Sequence, residues 1–359
     1  MTAIRTQLVT SRKPRPRDAD LVFGRLFTDH MAIVDWTEGS GWVDPRVVPY
    51  ANFSLDPAAA VFHYGQEIFD GLKAFRTASG GVQLFRADRH SRRLSEGSAR
   101  LCMPSIDPTL MIDVAKALIR ADRDWVPSSA GTALYLRPTL IATEPFLGVR
   151  PSKQYIFFMI ASPVGAYHGA AFSPAKIWVE ERYVRAAPGG LGAVKAGANY
   201  AASLLAAEEA KKRGYDQVLW TDAVSHTHLE EVGTMNLVAV IGDEVVTPAL
   251  DGTILGGVTR DSVLTLCREW GFRVSERFLT MDEIRSAGAN GQLREVFGCG
   301  TAAVITPVGE LGWQAGNDVQ RLVINGGQPG DLASRLVTTI TDVQYGRVAD
   351  THGWITSID

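Results

Sequence analysis

Among the eight lysines of the chain, Lys195 has surroundings unlike the rest. It lies in GGLGAVKAGANY, among Gly190, Gly192, Ala193, Val194, Ala196 and Gly197, small residues that let something bulky approach. The others, at 13, 73, 116, 153, 176, 211 and 212, mostly have charged or polar neighbours and read as surface cations. A lysine withdrawn from water loses its preference for the charged form and becomes a usable nucleophile and base. A lysine in a flexible loop has the same local sequence, and both readings stand at this point. A phosphate loop of the G-x-x-x-x-G-K-[ST] type is excluded, because Ala196 follows the lysine. A dinucleotide G-x-G-x-x-G is excluded too, because Gly190-x-Gly192-x-x ends on Lys195.

A second group of residues could hold an anion. In ILGGVTRDSVLTLCREW, Gly256 and Gly257 precede Thr259, which can N-cap the helix that follows, with Asp261 in its first turn. Free N–H groups at such a start, dressed by a hydroxyl, bind anions; a plain capped helix after a tight turn has the same sequence. GCGTAA offers further backbone donors at Gly298, Gly300 and Thr301. In LEEVGTMN the carboxylates Glu230 and Glu231 are adjacent, and strand alternation sends one of them inward. A buried carboxylate needs a cation or N–H donors; two glutamates in a solvated loop are the other possibility. His226 and His228 lack a third ligand at metal spacing and read as loop residues, so no metal is expected. His30 and His63 lie in aromatic segments and read as core hydrogen-bonding groups, and Arg92-Arg93 as a solvated helix face. Lysine, anion nest and carboxylate together are what a pyridoxal-phosphate enzyme requires: an amine to bind the aldehyde, donors for the phosphate, and a charge partner for the ring nitrogen.

The elements that must position these groups alternate along the chain. FTDHMAIVDW, VQLF, ALYLRPTLIA and QYIFFMIAS read as strands, and 89–100 and 110–124 as helices, with Asp107-Pro108 opening the second. PVGAYHGAAFSPA reads as a linker. After it come a strand in KIWVEERYVR, a helix from 199 to 213 closed by Gly214, the strand VLWTD, two strands turned at Gly242-Asp243, a helix opening near Thr259, and a last helix over 331–342. The expected organisation is an α/β (α+β) chain with a small domain over 1–166, an interdomain loop over 167–178 that composition allows as a lid, and a large domain over 179–359. The first twenty or so residues, basic before Asp18 and without an apolar core, read as a flexible arm rather than a secretory signal. A length of 359 residues, 36 basic against 39 acidic side chains and 46 % hydrophobic residues give an ordinary globular chain with no electrostatic case for nucleic acid. No run reaches the roughly 18 apolar residues of a membrane helix. Cys102, Cys267 and Cys299 form no C-x-x-C, which fits a reducing, cytoplasmic setting.

FGRLFTDHM, FHYGQEIFDGLKAFR, LYLRPTLIATEPFLGV, KAGANYAASL, EEVGTMN, ILGGVTRD and GTAAVITPV occur in one order over nearly the whole chain. In them the sequence closely resembles the branched-chain amino-acid aminotransferases of the class IV pyridoxal-phosphate family. The resemblance implies a two-domain fold-type IV enzyme, smaller domain first, with pyridoxal 5'-phosphate at the domain interface. It implies reversible ping-pong amino transfer between L-leucine, L-isoleucine or L-valine and 2-oxoglutarate, through a Schiff base on Lys195. Tyr200 would touch the cofactor's phenolic oxygen, Glu231 the ring nitrogen, and Leu255 the ring; Arg93, Val258, Thr259 and Thr301 would hold the phosphate. Phe23, Tyr64, Phe69, Tyr135, Arg137, Leu147, Val149, Thr234 and Ala302 would shape the substrate pocket. Tyr64, Leu147 and Val149 would come from the partner subunit, so a homodimer is implied. Some animal relatives carry a redox C-x-x-C after the GTA motif; here Ala303 to Thr306 reads AVIT, and such regulation is not expected. The sister activities to separate are D-amino-acid aminotransferase and aminodeoxychorismate lyase. A non-catalytic cofactor-binding protein would have lost part of the set Lys195, Tyr200, Glu231 and Arg93, all of which are present.

Overall fold

The computed structural model describes residues 3–165 and 172–359. The described chain folds as two compact units: residues up to 165 with 195–197 and 341–359, and residues 172–194 with 198–340. Of the expected linker 167–178, the part from 167 to 171 lies outside the described residues, and from Ala175 the chain is strand rather than loop. The C-terminal residues, expected in the large domain, belong to the first unit. Strand Ile355–Ser357 pairs with Val82–Phe85, and Arg120 donates to the Ile358 carbonyl.

In the first unit β1 (Arg5–Thr6), β2 (His30–Thr37), β3 (Gly41–Pro49), β4 (Glu67–Phe69), β5 (Leu72–Arg76), β6 (Val82–Phe85), β7 (Ala133–Ala142) and β8 (Gln154–Val164) build one sheet. The order is β1-β3-β2-β8-β7-β5-β6, then the C-terminal strand, with β4 beside β7. The apolar runs foreseen as strands are the long central ones, β7 and β8, paired antiparallel along their whole length. Helices α1 (Ala60–Tyr64), α2 (Ala87–Arg100) and α3 (Pro108–Ala121) accompany it. Asp107 caps α3 by accepting from the Thr109 and Leu110 N–H groups, with Pro108 in the first turn. α3 stops three residues short of the expected end, where Asp122 turns into a short 3-10 segment over Arg123–Trp125.

The basic N-terminal segment is docked, not free. β1 pairs in parallel with β3, and the Val9 N–H donates to His30 Nε2 at 2.9 Å. Lys13 N–H donates to Asp29 Oδ1 at 2.9 Å, and Arg12 lies 3.4 Å from Asp122 Oδ1. Asp29 and Asp122 are buried carboxylates, and the segment supplies donors that they need. Composition alone could not show where those acids would lie.

In the second unit β9 (Ala175–Glu180), α4 (Gly197–Lys212), β10 (Gln217–Thr221), β11 (Leu229–Val232), β12 (Met235–Ile241), β13 (Glu244–Thr247), α5 (Val258–Glu269), β14 (Arg273–Glu276), α6 (Met281–Ala289), β15 (Leu293–Gly300), β16 (Val304–Ala315), β17 (Asp318–Val323) and α7 (Asp331–Gln344) follow in turn. The sheet order is β11-β10-β9-β16-β15-β12-β13-β14, with β17 on β16. β11 also pairs with β12, which closes six strands into a ring and leaves none of those six as a free edge. Its packed residues include Ile177, Val179, Leu219, Leu237 and Val296, all nearly inaccessible. No helix among the described residues is long and apolar enough to cross a membrane.

Replacing Asp122 by Ala removes the acceptor of both the His30 N–H (3.0 Å) and His30 Nδ1 (2.6 Å) in a site with no exposure. The expected loss is about 2–4 kcal/mol, read by chemical denaturation, together with faster proteolysis between residues 5 and 20. Unchanged stability would show that the buried pair carries no weight.

Candidate functional site

Lys195 stands among the first unit's residues, and strand β4 fixes its backbone. The Phe69 N–H donates to the Lys195 carbonyl at 3.0 Å, and Ala196 bridges to Ile68. The side chain is half-buried, with Nζ 5.2 Å from the Phe69 ring centroid. The same ring takes the Arg137 guanidinium at 4.6 Å, so one aromatic carries two cations. Arg137 Nη2 donates to Tyr135 Oη at 3.0 Å, and Phe23 meets the Tyr135 ring edge-on at 5.0 Å. Phe23, Phe69, Tyr135, Arg137 and Lys195 are thus one contact chain. Arg137 Nε within it is buried without a hydrogen-bond partner. Gly71 leaves the room that Tyr135 needs, since a Cβ there would overlap the phenol oxygen.

Arg93 is not on a solvated face. Asp70, fully buried, accepts from Arg93 Nε at 2.8 Å and Nη2 at 2.7 Å, from His90 Nδ1 at 2.8 Å and from the Gly71 N–H. His90 and Arg93 are three apart on α2 and therefore neighbours. Despite its burial, Asp70 is held far below the ordinary carboxylate range by the charges of Arg93 and His90. Burial pushes His90 down, and the charges of Arg93 and Lys195 add to that. Arg92 alone keeps the solvated role. Tyr64, Leu147 and Val149 are 42 %, 64 % and 87 % exposed, beside exposed Phe62 and Phe146. Tyr64 Oη donates to the Leu147 carbonyl at 2.5 Å, which ties them into one apolar patch. They do not join the contact chain of Lys195 in this protomer.

The second unit holds the remaining groups. Both Glu230 and Glu231 are buried, where strand alternation predicts one. Glu231 Oε1 accepts the Leu255 N–H at 2.8 Å, and Oε2 lies 3.4 Å from Arg185 Nε, an ion pair outside hydrogen-bond alignment. Arg185 Nη2 donates to the Gly192 carbonyl at 3.1 Å and to the Thr253 carbonyl. Asn236 Nδ2 holds the Leu255 carbonyl at 2.8 Å, and its Oδ1 fills the place a Cβ would take at Gly257. Gly257, not Thr259, is the N-cap of α5, and it caps without a side-chain bond. The first-turn N–H groups of a helix have no acceptor within it, and here Val258 and Thr259 bring them into a buried place. Thr301 and Ala302 lie in the β15–β16 hairpin loop rather than at a helix start. Tyr200, on α4, shares a small cavity with Arg185, Ser203, Glu231 and Thr234.

Other expectations fare differently. His30 is a buried hydrogen-bonding histidine as foreseen, but His63 is exposed and reaches the Pro57 carbonyl. His226 bonds Thr221 in a loop organised by Asp222, and no group of three metal-ligating side chains occurs among the described residues. Lys73, read as a surface residue, is buried on β5, and desolvation pushes its ammonium down to about 8. Asp70, His90 and Arg185 were missed as site residues. FDG inside FHYGQEIFDGLKAFR and the His at i−3 of Arg93 were the available signals for two of them; Arg185 had none.

The sequence profile described as "Amino-transferase class IV" matches residues 67–311. The chain belongs to the class IV aminotransferase family. Within it, the chain is 48 % identical over 355 residues to "Branched-chain-amino-acid aminotransferase 2" of Bacillus subtilis (strain 168), covering 99 % of this chain and 97 % of that one. Among solved structures it is similar to the branched-chain amino acid aminotransferase of Escherichia coli, at TM-score 0.74, 26 % identity and coverage of 91 % of this chain and 100 % of that one. It is also similar to a T.th. branched-chain amino acid aminotransferase with pyridoxamine 5'-phosphate, at TM-score 0.75, 27 % identity and coverage of 91 % and 99 %. This class IV aminotransferase therefore has the two-domain fold-type IV architecture, with Asp70, Glu230 and Glu231 inside the matched span.

Asp70→Asn leaves the Arg93 charge half-buried without its ion pair, at an expected cost of about 3 kcal/mol near neutrality. Because the carboxylate's folded pKa is depressed, its contribution is complete above about pH 4 and is lost as pH falls. Denaturation of both proteins across that range should therefore show the gap closing in acid. A gap that stays constant would detach the ion pair from the loss.

Proposed function

We propose that this aminotransferase binds pyridoxal 5'-phosphate and transfers the amino group of L-leucine, L-isoleucine or L-valine to 2-oxoglutarate. The observation that carries the cofactor reading is the loop 255–259. At one end its backbone N–H holds the buried Glu231, and at the other it opens a buried helix start that has no side-chain cap. A fixed carboxylate and a set of backbone anion donors on one short loop fit a group with a ring nitrogen and a phosphate. Val258, Thr259, Thr301 and Arg93 would hold the phosphate, Glu231 the ring nitrogen, Tyr200 the phenolic oxygen and Leu255 the ring, with Lys195 as the covalent anchor.

When bound, pyridoxal phosphate supplies an electron sink that acidifies the substrate's α-proton. The chain's part is to place and move protons. Lys195, as a neutral amine beside the substrate, would take the α-proton and return it nearby. Glu231 would stabilise positive charge on the ring nitrogen, and it is itself met by Arg185 and the Leu255 N–H. Tyr135, Phe69 and Phe23 give an apolar wall for a branched chain. Arg137, stacked on Phe69 and with Nε unsatisfied, suits the second carboxylate of 2-oxoglutarate. The exposed apolar patch of Phe62, Tyr64, Phe146, Leu147 and Val149 suits a homodimer in which these residues complete the partner's pocket. Three free thiols accord with a cytoplasmic setting.

The deciding test is the visible spectrum of the purified protein with pyridoxal phosphate, before and after L-leucine and then 2-oxoglutarate. The cofactor band should collapse with the amino acid and return with the oxo acid. A band that ignores leucine and answers to D-alanine would move the protein to a sister activity, and no band would remove the cofactor. Borohydride reduction followed by peptide mapping should label Lys195 and not Lys73, and Lys195→Ala should abolish turnover. For the assembly, Val149→Asp should shift sedimentation from dimer toward monomer and lower activity with it. A variant that is still fully dimeric and active would sink the partner assignment.

A further inference from the structure

Consecutive residues on a regular strand face opposite ways, yet Glu230 and Glu231 are 4 % and 3 % exposed. The register of β11 with β10 explains this. Leu219 lies opposite Val232 and Thr221 opposite Leu229, so two steps on β10 match three on β11. The extra residue makes a β-bulge, and a bulge re-aims side chains that alternation would separate. Arg185, paired with Glu231, also acts on Glu230 by its charge, and the two glutamates act on each other. Asp251 also acts on Glu230 by its charge.

The surroundings of Glu230 leave it short of donors. The Thr253 side chain favours its ionised form, but the Thr253 hydroxyl donates to Asp251 Oδ1 at 2.7 Å. Oε2 of Glu230 is buried and has no hydrogen-bond partner, an arrangement a carboxylate anion tolerates poorly. Burial pushes Glu230 up to about 7, against the pull of Thr253 and Arg185.

We propose that Glu230 is a positioning residue for Glu231: the two carboxyls share the single guanidinium of Arg185, so the charge on Glu230 sets how firmly Glu231 holds a protonated ring nitrogen. The inference rests on the pyridoxal-phosphate reading above. In acid Glu230 is neutral, and Arg185 is committed to Glu231. As pH rises through neutrality Glu230 ionises and adds negative charge beside the ring nitrogen's partner. A protonated ring favours that ionised form, so by linkage ionisation tightens cofactor binding. Titrations that are not coupled to Glu230 are common to wild type and variant and cancel in a ratio.

The measurement is the dissociation constant of pyridoxal phosphate from the full-length holoenzyme, read by absorbance over serial dilution, from about pH 6 to about pH 8. Wild type is compared with Glu230→Gln, always neutral, and Glu230→Asp, still acidic; Glu230→Ser is the second neutral variant should the first fold poorly. The ratio of neutral variant to wild type should be near one in acid and rise about threefold to tenfold across the range. Glu230→Asp should keep the pH dependence of wild type. A ratio that is constant with pH, whatever its value, shows a merely structural role and overturns the proposal. A wild type that binds no pyridoxal phosphate at any pH overturns the functional reading as well, so the two failures are told apart.

Discussion

A carboxylate taken out of water must be met by cations or N–H donors, and this chain buries several. Each one recruits distant segments to itself. Asp70 gathers α2 through His90 and Arg93, with its own following N–H. Asp29 and Asp122 draw the N-terminal segment onto the sheet. Glu295 takes the Leu332 and Ala333 N–H groups and so anchors the start of α7. Glu231 ties the loop before α5 to Arg185. Two of these donors, Arg93 and the Leu255 N–H, belong to the site proposed for the cofactor.

This constraint explains why the proposed anion cradle is built from backbone. Gly257 caps α5 with no side chain, and Asn236 occupies the space that a Cβ there would claim. A larger residue at 257 would displace Asn236 from the Leu255 carbonyl and so disturb the N–H that Glu231 accepts. Cradle and carboxylate are therefore one mechanical object. The bulge in β11 belongs to the same object, since it turns a second acid toward the same cation.

What the sequence revealed of this depended on how local the cause was. Strands such as QYIFFMIAS and the capped start at Asp107-Pro108 were legible because apolar pattern and capping act within a few residues. The sequence pattern puts the cap of α5 at Thr259 rather than Gly257, because a glycine cap leaves no side-chain signature. Glu230 escaped the alternation rule, because a bulge is a property of two paired strands and one strand cannot show it. Arg185 and Asp70 escaped because their partners are 46 and 23 residues away in sequence, Glu231 and Arg93. The site residues that sequence named came instead from long motifs whose resemblance stands in for the missing three-dimensional pairing.

Lysine chemistry shows where the physical argument goes beyond the pattern. Lys73 and Lys195 are both withdrawn from bulk water, and Lys73 the more so, with its ammonium pushed down to about 8. If a lowered pKa alone made a nucleophile, Lys73 would be the better candidate. It lies on β5, however, hydrogen-bonded between β6 and β7 with Tyr135 as its cross-strand neighbour, only 8 % exposed. An amine enclosed by two paired strands gives up its proton more readily but is unreachable. Lys195 is half-buried, follows a glycine-rich loop, and rests against the face of Phe69. Access and desolvation pull against each other, and Lys195, the lysine proposed to react, is the one of the two that is only half-buried.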